Sequence, residues 1–195
     1  MFASEKIPHI YLLPLSFPQQ KLLSGLSTVL EKTFNLSVII IDRQFPLDNG
    51  KDYLRNQYNS TWILAQIIKR FPEEFCKVLA VTAVDLYVPV LTYVFGEAQL
   101  DGKAAVVSTH RLRDELYGLP KNPERLRERL EKEAVHELGH TFGLIHCHVP
   151  NCVMYTSTYA EEIDFKSSEF CMNCSAFLKR KMKRLAMSEV SKSLP

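Results

Sequence analysis

Hydrophobic positions in the first half of the chain alternate between short runs and longer stretches of helical period. Residues 7–15, 36–41 and 77–84 are short, apolar and rich in β-branched side chains, so each is predicted to be a buried strand. Apolar side chains recur every three or four positions over residues 18–34 and 60–70, which predicts two helices, the second capped by Ser60. Strands that alternate with helices indicate an α/β fold around a largely parallel sheet.

Two further strands and a long helix are predicted in the middle of the chain. Residues 92–99 and 103–108 are strand-like segments joined by a short turn, so one of them is expected to run antiparallel at the sheet edge. Pro123 is expected to open a long helix. Residues 42–59 form a polar segment that either shapes a substrate cleft or is a solvated connection. The apolar stripe of the long helix consists of Leu126, Leu130, Ala134, Val135 and Leu138.

Length and composition are typical of one soluble globular domain. The 195 residues are 46% hydrophobic and 24% charged, with no repeat or low-complexity segment. A formal net charge of +2 is too small to indicate a nucleic-acid partner, and the basic run at residues 179–184 is expected to face water. No apolar run approaches the roughly 20 residues of a membrane helix. The first eight residues lack the apolar stretch of a signal peptide, so a cytoplasmic location is expected.

Residues 136–140 read His-Glu-Leu-Gly-His on the predicted long helix. Because residues four apart project from one face of a helix, the imidazoles of His136 and His140 can reach the same cation. Glu137 can contact a water molecule on that cation without binding the metal itself. An amphipathic helix with two surface histidines would carry the same letters, so the pattern needs support from the residues that follow.

Gly143 and His146 supply that support. On an unbroken helix, His146 would lie about 120° from the face of His140 and about 9 Å further along the axis. Gly143 removes this obstacle because glycine tolerates the left-handed conformation with which helices often end. His146 can then complete a three-histidine site with an open fourth position, which is the arrangement of catalytic zinc.

Four of the five cysteines lie in the last quarter of the chain and predict a second metal site. In a reducing compartment such a cluster is more consistent with a metal than with disulfides. Four thiolates fill the coordination shell of zinc, which makes the site structural. Ordinary buried cysteines, or a redox pair formed by the last two, are the alternatives. The four are Cys147, Cys152, Cys171 and Cys174, while Cys76 stands apart.

The string HExxHxxGxxH followed by these cysteines resembles the archaemetzincins (archaelysins), a family of metzincin-type zinc metallopeptidases. Residues 57–60, 94–98 and 106–112 are also similar to that family, so the resemblance covers most of the chain. It implies a metzincin-like α/β domain with a mixed twisted sheet, an antiparallel edge strand, a long active-site helix and a zinc-stapled C-terminal subdomain. Residues 1–195 would then form a single metallopeptidase domain. Its α/β part would be residues 1–144, and its small part with the four-cysteine zinc site would be residues 145–195.

The resemblance also implies a role for Met154. In metzincins a methionine in a tight turn forms an apolar floor beneath the catalytic metal, and Met154 matches its position. A buried core methionine explains this residue equally well. Sixteen residues separate Met154 from Cys171, one fewer than is common in the family, which concerns the connecting loop and leaves the ligands unchanged.

Together these residues predict a zinc-dependent peptidase with two zinc ions per chain, one catalytic and one structural. Zinc would lower the pKa of its bound water to about 7, and Glu137 would act as general base. A peptide or protein substrate could pair with the edge strand, and Tyr155 or Tyr159 could stabilise the oxyanion. The family resemblance implies an aminopeptidase-like or narrowly selective enzyme as readily as a general endopeptidase.

Two other functions fit the same residues. A zinc-stabilised peptide-binding protein with little or no hydrolytic activity would keep a complete metal site. The motif also specifies activated water without specifying a substrate, so hydrolysis of a non-peptide amide stays open. The protein is expected to be a monomer without nucleic-acid or membrane partners. His9, His110 and His148 are expected to be surface or packing residues.

Overall fold

Strands and helices alternate along the chain in the computed structural model, which describes residues 9–71 and 76–192. The strands are β1 (His9–Leu15), β2 (Ser37–Ile40), β3 (Lys51–Asp52), β4 (Gln57–Asn59), β5 (Cys76–Thr82), β6 (Leu86–Tyr87), β7 (Gly96–Ala98) and β8 (Ala104–Ser108). The helices are α1 (Gln20–Phe34), α2 (Ser60–Arg70), α3 (Pro123–Thr141), α4 (Ala160–Phe165) and α5 (Met172–Lys192). Residues 7 and 8 of the first predicted strand lie outside the described residues.

Five strands form the central sheet in the order β2-β1-β5-β8-β7. β1 is parallel to β2 and to β5, and β5 is parallel to β8. β7 runs antiparallel to β8 at the edge of the sheet, with Gly96 opposite Val107 and Ala98 opposite Ala105. The predicted mixed sheet with an antiparallel edge strand is therefore confirmed.

The two faces of this sheet are covered by different helices because successive strand residues point to opposite sides. Leu79 and Val107 belong to a buried cluster that includes side chains of α1 and α3. Val78 and Val106, their neighbours in sequence, belong to a second cluster that includes side chains of α2. α3 also contacts β7 and β8, which brings its buried C-terminal half to the edge strand.

The two ends of α3 follow from their sequence. The Asn122 side chain caps the first turn by accepting a hydrogen bond from the Arg125 N–H at 3.0 Å, and Pro123 opens the helix as predicted. At the other end Gly143 has φ +91°, and its N–H donates to the His140 carbonyl at 2.9 Å. The Leu144 N–H donates to the Gly139 carbonyl at 3.1 Å, which completes a Schellman turn and reverses the chain.

α4 packs against α3 through a buried arginine. The Arg129 Nε donates to the Asp164 carboxylate at 2.7 Å, and an Arg129 terminal nitrogen donates to the Asp114 carboxylate at 2.9 Å. Both carboxylates are thereby paired with a cation that is only 3% exposed. This network holds α4 against the helix that carries His136.

Some local predictions are wrong. The N-cap of α2 is Asn59, whose side chain accepts a hydrogen bond from the Trp62 N–H at 2.9 Å, and Ser60 is already helical. Asparagine and serine cap helices about equally well, so two adjacent candidates were not separable.

None of the helices in the described part of the chain is long and apolar enough to span a bilayer.

Two predicted segments differ from the structure in extent. The edge strand is shorter than residues 92–99, because Val94 forms an isolated antiparallel bridge with Leu86 before β7 begins. The polar segment 42–59 contains a 3₁₀ turn and two short strands, which join β6 in a second sheet of order β3-β4-β6. Pairing with β6 accompanies both differences, and hydrophobic periodicity does not reveal which strands pair.

Candidate metal centre and adjoining cleft

Three histidines come together where α3 ends. The Nε2 atoms of His136 and His140 lie 3.1 Å apart. One ring nitrogen from each of these residues and from His146 lies within 4.8 Å of the other two. The first two share a helix face, and the turn at Gly143 returns the chain so that His146 faces them. The structure therefore brings all three predicted ligands to one point.

Hydrogen bonds to the main chain assign the protonation of two of these rings. His136 Nδ1 lies 2.8 Å from the Val153 carbonyl oxygen, and His140 Nδ1 lies 2.7 Å from the Leu144 carbonyl oxygen. A carbonyl only accepts, so each Nδ1 carries the proton and each Nε2 presents a lone pair. Two lone pairs at 3.1 Å repel each other unless a cation lies between them, so this donor set fits a metal ion.

The environment also keeps these ligands neutral. Burial lowers the pKa of His136 to about 4, and burial likewise lowers the pKa of His140 from its ordinary value. Metal binding requires the unprotonated imidazole. At neutral pH, a metal ion therefore does not have to displace a proton from His136.

Glu137 lies buried beside this point, against the edge strand. Burial raises the pKa of its carboxyl group well above the ordinary value, Glu133 and Glu97 raise it further, and Lys166 opposes them. A β-carbon at Gly96 would lie 2.6 Å from Glu137 Cγ and 2.8 Å from its Oε1. Only glycine at position 96 leaves this space free, so the edge strand is shaped around the carboxylate.

Met154 is fully buried beneath the HExxH turn. A β-carbon at Gly139 would lie 2.6 Å from the Met154 sulfur, which places this thioether directly against the turn between the two helical histidines. The Met154 carbonyl accepts a hydrogen bond from the Cys147 N–H at 2.9 Å. Met154 is therefore a core residue that also supports the turn carrying the histidines.

The four clustered cysteines converge as a second group. Their sulfur atoms all lie within 4.8 Å of one another, and Cys147 Sγ is 3.8 Å from Cys171 Sγ. A tetrahedral zinc ion with bonds of about 2.3 Å would separate its sulfur ligands by about 3.8 Å. The Cys171 N–H donates to Cys152 Sγ at 3.3 Å, and a backbone hydrogen bond at Cys174 is the main cause that lowers the pKa of Cys171 to about 7.

A cavity of about 450 Å³ adjoins the histidines and Glu137. Residues 91–96, which lead into the edge strand, line it together with residues 156–159, which follow Met154. Of the two tyrosines predicted as oxyanion donors, Tyr159 lines this cavity and Tyr155 does not. The predicted alternative that residues 42–59 shape the cleft is not supported, because none of these residues lines this cavity and Phe45 and Tyr58 are partly buried against the second core cluster.

Sequence reasoning missed a buried ion pair in the same cavity. Lys166 Nζ lies 2.8 Å from Glu133 Oε1, and the two side chains are 1% and 5% exposed. Glu133 lies one turn before Glu137 on the same face of α3, and that spacing was available in the sequence. Lys166 gave no such signal, because its position depends on how the chain returns to α3 after α4.

Comparisons with known proteins agree with this geometry. Residues 53–180 match the model of peptidase family M54. The chain belongs to this family. It is 39% identical to the archaemetzincin of Methanocaldococcus jannaschii, over 86% of this chain and 91% of that protein.

Solved structures of the family share the fold. The crystal structure of archaemetzincin from Methanopyrus kandleri superimposes with a TM-score of 0.79 at 33% identity, covering 94% of this chain and 100% of that one. A zinc-dependent peptidase from Methanocorpusculum labreanum gives a TM-score of 0.77 at 34% identity, covering 87% and 99%. The predicted archaemetzincin family and the predicted α/β fold are therefore confirmed.

Proposed function

We propose that this member of peptidase family M54 is a zinc-dependent peptidase. His136, His140 and His146 would hold the catalytic ion, and Glu137 would be the general base. The observation that carries the proposal is the pair of Nε2 lone pairs 3.1 Å apart, joined by a third imidazole and flanked by a buried carboxylate. Membership of a peptidase family favours hydrolysis over the alternative of a peptide-binding protein.

Glu137 is the residue that moves protons in this scheme. A zinc ion held by three histidines supplies a Lewis acid that polarises the scissile carbonyl and acidifies water. Glu137 accepts the proton of the attacking water and then donates it to the leaving amine. Burial raises the pKa of this carboxyl group above its ordinary value, which makes it a stronger proton acceptor than an exposed carboxylate.

The edge strand offers main-chain groups to an extended substrate. The Phe95 carbonyl accepts from the Ser108 N–H at 2.8 Å, and the Gln99 N–H donates to the Ala104 carbonyl at 2.9 Å. Because pairing alternates along an antiparallel strand, Gly96 and Ala98 direct their N–H and C=O groups away from β8. A peptide that pairs with these groups as an added strand passes the Glu137 carboxylate.

The cysteine cluster would hold a second, structural zinc ion, which makes two ions per chain. Its four sulfur ligands leave no open position for substrate. Cys147 follows His146 directly, and the Cys147 N–H is bonded to the Met154 carbonyl. Metal bound by the sulfurs would therefore hold the segment that presents the third histidine.

We also propose that residues 1–195 form one metallopeptidase domain, with an α/β part at residues 1–144 and a zinc-bearing part at residues 145–195. Leu138 and Cys174 share one buried cluster, which supports a single unit. One chain supplies every proposed ligand, so we expect a monomer. The net charge of +2 supports our expectation of a peptide substrate with no nucleic-acid partner. We expect the protein to have no membrane partner and to act in the cytoplasm.

Hydrolysis of a peptide library, with and without a chelator, tests this function. The zinc-loaded parent should cleave, and the chelator should abolish cleavage. Glu137→Gln should lower kcat by about 10²–10⁴-fold while keeping both zinc ions, because only the base is lost. Glu128→Gln, on the exposed side of α3, is the matched control and should behave like the parent. Zinc-dependent peptide binding without any cleavage would instead support the binding-protein alternative.

A further inference from the structure

A hydrogen bond joins two separate segments that line the cavity beside the histidines. The Tyr93 hydroxyl donates to the Thr158 carbonyl at 3.0 Å. Tyr93 belongs to the segment that leads into the edge strand, and Thr158 belongs to the loop after Met154; both line the cavity. We name this Tyr93–Thr158 bond the crossbar.

The crossbar residue Tyr93 is held in place by its neighbours. The Arg111 guanidinium lies 4.6 Å from the centre of the Tyr93 ring, and the Phe95 ring packs edge-on at 5.6 Å. Arg111 is itself fixed by two hydrogen bonds to the buried carboxylate of Asp85, at 2.8 and 2.5 Å. Gln57 donates to the same carboxylate at 3.0 Å. The ring is therefore supported by a connected network.

The distance from the reacting centre to the crossbar follows from the edge strand. Gly96 is level with Glu137, since its β-carbon would lie 2.6 Å from Glu137 Cγ. Tyr93 precedes Gly96 by three positions, and a fully extended chain covers at most about 3.6 Å per residue. Tyr93 is therefore within about 11 Å of Gly96 along the strand.

The direction in which the substrate runs along β7 decides whether its N-terminal or its C-terminal side reaches the crossbar. Antiparallel pairing is the more stable arrangement per residue, so a peptide added to β7 should run opposite to it. Its C-terminal side then extends from Gly96 towards Tyr93. The crossbar therefore stands no more than about three residues beyond the scissile bond on that side.

We propose that the crossbar makes Tyr93 a specificity-determining residue, which restricts efficient substrates to peptides with no more than about three residues after the scissile bond. The substrate class is then short peptides, or chains cut close to their carboxyl end. This inference rests on the proposed peptidase function. A longer chain has to break the Tyr93–Thr158 hydrogen bond before it can lie along the strand.

A length series of peptides tests the crossbar. All peptides share the residues up to the scissile bond and carry one to six residues after it. For the zinc-loaded parent, kcat/KM should stay constant up to three residues and fall by about five- to tenfold beyond that, the effect of one hydrogen bond. Tyr93→Phe keeps the ring and removes the hydroxyl, so it should abolish the fall. A flat profile for the parent, or an equal fall in Tyr93→Phe, would overturn the inference.

Tyr117→Phe is the matched control for this series. The Tyr117 hydroxyl donates to the Arg111 carbonyl at 2.8 Å, so the variant loses the same kind of hydrogen bond away from the cavity. It should keep the length dependence of the parent. If Tyr117→Phe removed that dependence as well, the dependence would not be specific to the Tyr93 hydroxyl, and the crossbar assignment would be wrong.

A binding experiment distinguishes a failure of this inference from a failure of the proposed function. The same peptides, fluorescently labelled, are titrated into zinc-loaded Glu137→Gln and into Glu137→Gln combined with Tyr93→Phe, and anisotropy gives Kd. Length-dependent Kd in the first variant only supports the crossbar, even if the parent hydrolyses no peptide and the peptidase function fails. Length-independent Kd in both variants, together with hydrolysis by the parent, overturns the crossbar and leaves the peptidase function intact.

Discussion

Gly96 and Glu137 approach each other so closely that a β-carbon at position 96 would lie 2.6 Å from Glu137 Cγ. The same β-carbon would lie 2.7 Å from the Val106 carbonyl oxygen, which belongs to the neighbouring strand. The edge strand therefore has no room for a side chain at position 96 beside the carboxylate. This contact links the position of the proposed base to the edge strand.

Gly96→Ala should damage both stability and catalysis. The added methyl group has to displace Glu137 or the β8 backbone, so the free energy of unfolding should fall by about 1–3 kcal/mol. A displaced base should lower kcat/KM by up to about a hundredfold. Urea unfolding and peptide hydrolysis measure the two effects. Gly25→Ala in α1 is the control, because no atom lies within 4 Å of its added carbon and alanine favours helix. Parental kcat/KM in Gly96→Ala would contradict this role.

The buried Glu133–Lys166 pair should be costly to break from one side. Lys166→Met leaves the Glu133 carboxylate buried without its cation, so the free energy of unfolding should fall by about 3–5 kcal/mol. Adding Glu133→Gln to this variant removes the unpaired charge and should restore part of the loss. Chemical denaturation of the two single variants and the double variant gives the coupling.

A surface ion pair provides the comparison for the Glu133 and Lys166 variants. Lys181 lies 2.6 Å from Asp101, whose side chain is 54% exposed. Lys181→Met should change the free energy of unfolding by no more than about 1 kcal/mol, because water screens this pair. Equal losses for Lys166→Met and Lys181→Met would show that burial does not govern the Glu133–Lys166 interaction.

Cys171→Ser should remove one zinc ion and weaken the binding of the other. Serine cannot supply a thiolate, so elemental analysis should give one zinc per chain where the parent gives two. The remaining histidine site should bind zinc about 10- to 100-fold more weakly, because Cys147 no longer holds the segment that presents His146. Ser175→Ala in α5 lies outside the ligand set and should keep both ions. Two zinc ions in Cys171→Ser would refute the four-cysteine site.

The zinc-free protein should lose stability in mild acid through His136. Its pKa is about 4 in the folded state, chiefly because of burial, and about 6.5 in an unfolded chain. Below pH 6.5 the unfolded chain therefore binds this proton more readily than the folded protein does. The contribution of His136 to the free energy of unfolding should fall by up to about 3 kcal/mol as the pH drops from 6.5 to 4.

His136→Gln isolates the contribution of His136 to the pH dependence of the free energy of unfolding, because glutamine does not titrate between pH 4 and 8. Thermal or urea unfolding of both zinc-free proteins between pH 4 and 8 should show a steeper loss for the parent. The same slope in both proteins would mean that His136 is not responsible.

The sequence was most informative where geometry is local. The spacing of His136 and His140 depends only on helix periodicity, and Gly143 marks the position where the helix has to end. The Schellman turn that returns His146 follows from one glycine, so the three ring nitrogens were predictable as a group. The clustering of the cysteines was predictable from their type and spacing.

Contacts between distant segments could not be read in this way. The Tyr93–Thr158 bond and the Glu133–Lys166 pair join residues far apart in the chain, and neither partner identifies the other by type or spacing. The extent of the edge strand was wrong for a related reason, because the pairing of Val94 with Leu86 belongs to a different part of the fold. Such contacts depend on how the helices pack across the sheet.

The order of the ligands along the chain has a consequence during translation. The helix that carries His136 and His140 is synthesised before Cys171 and Cys174. The proposed zinc ion on the cysteines helps to hold the loop that carries His146. A nascent chain shorter than 174 residues therefore has an incomplete cysteine site and a less well held His146. Until Cys174 is made, the proposed histidine site should bind zinc more weakly than in the finished chain, so full peptidase activity is expected only after the last cysteine has been added.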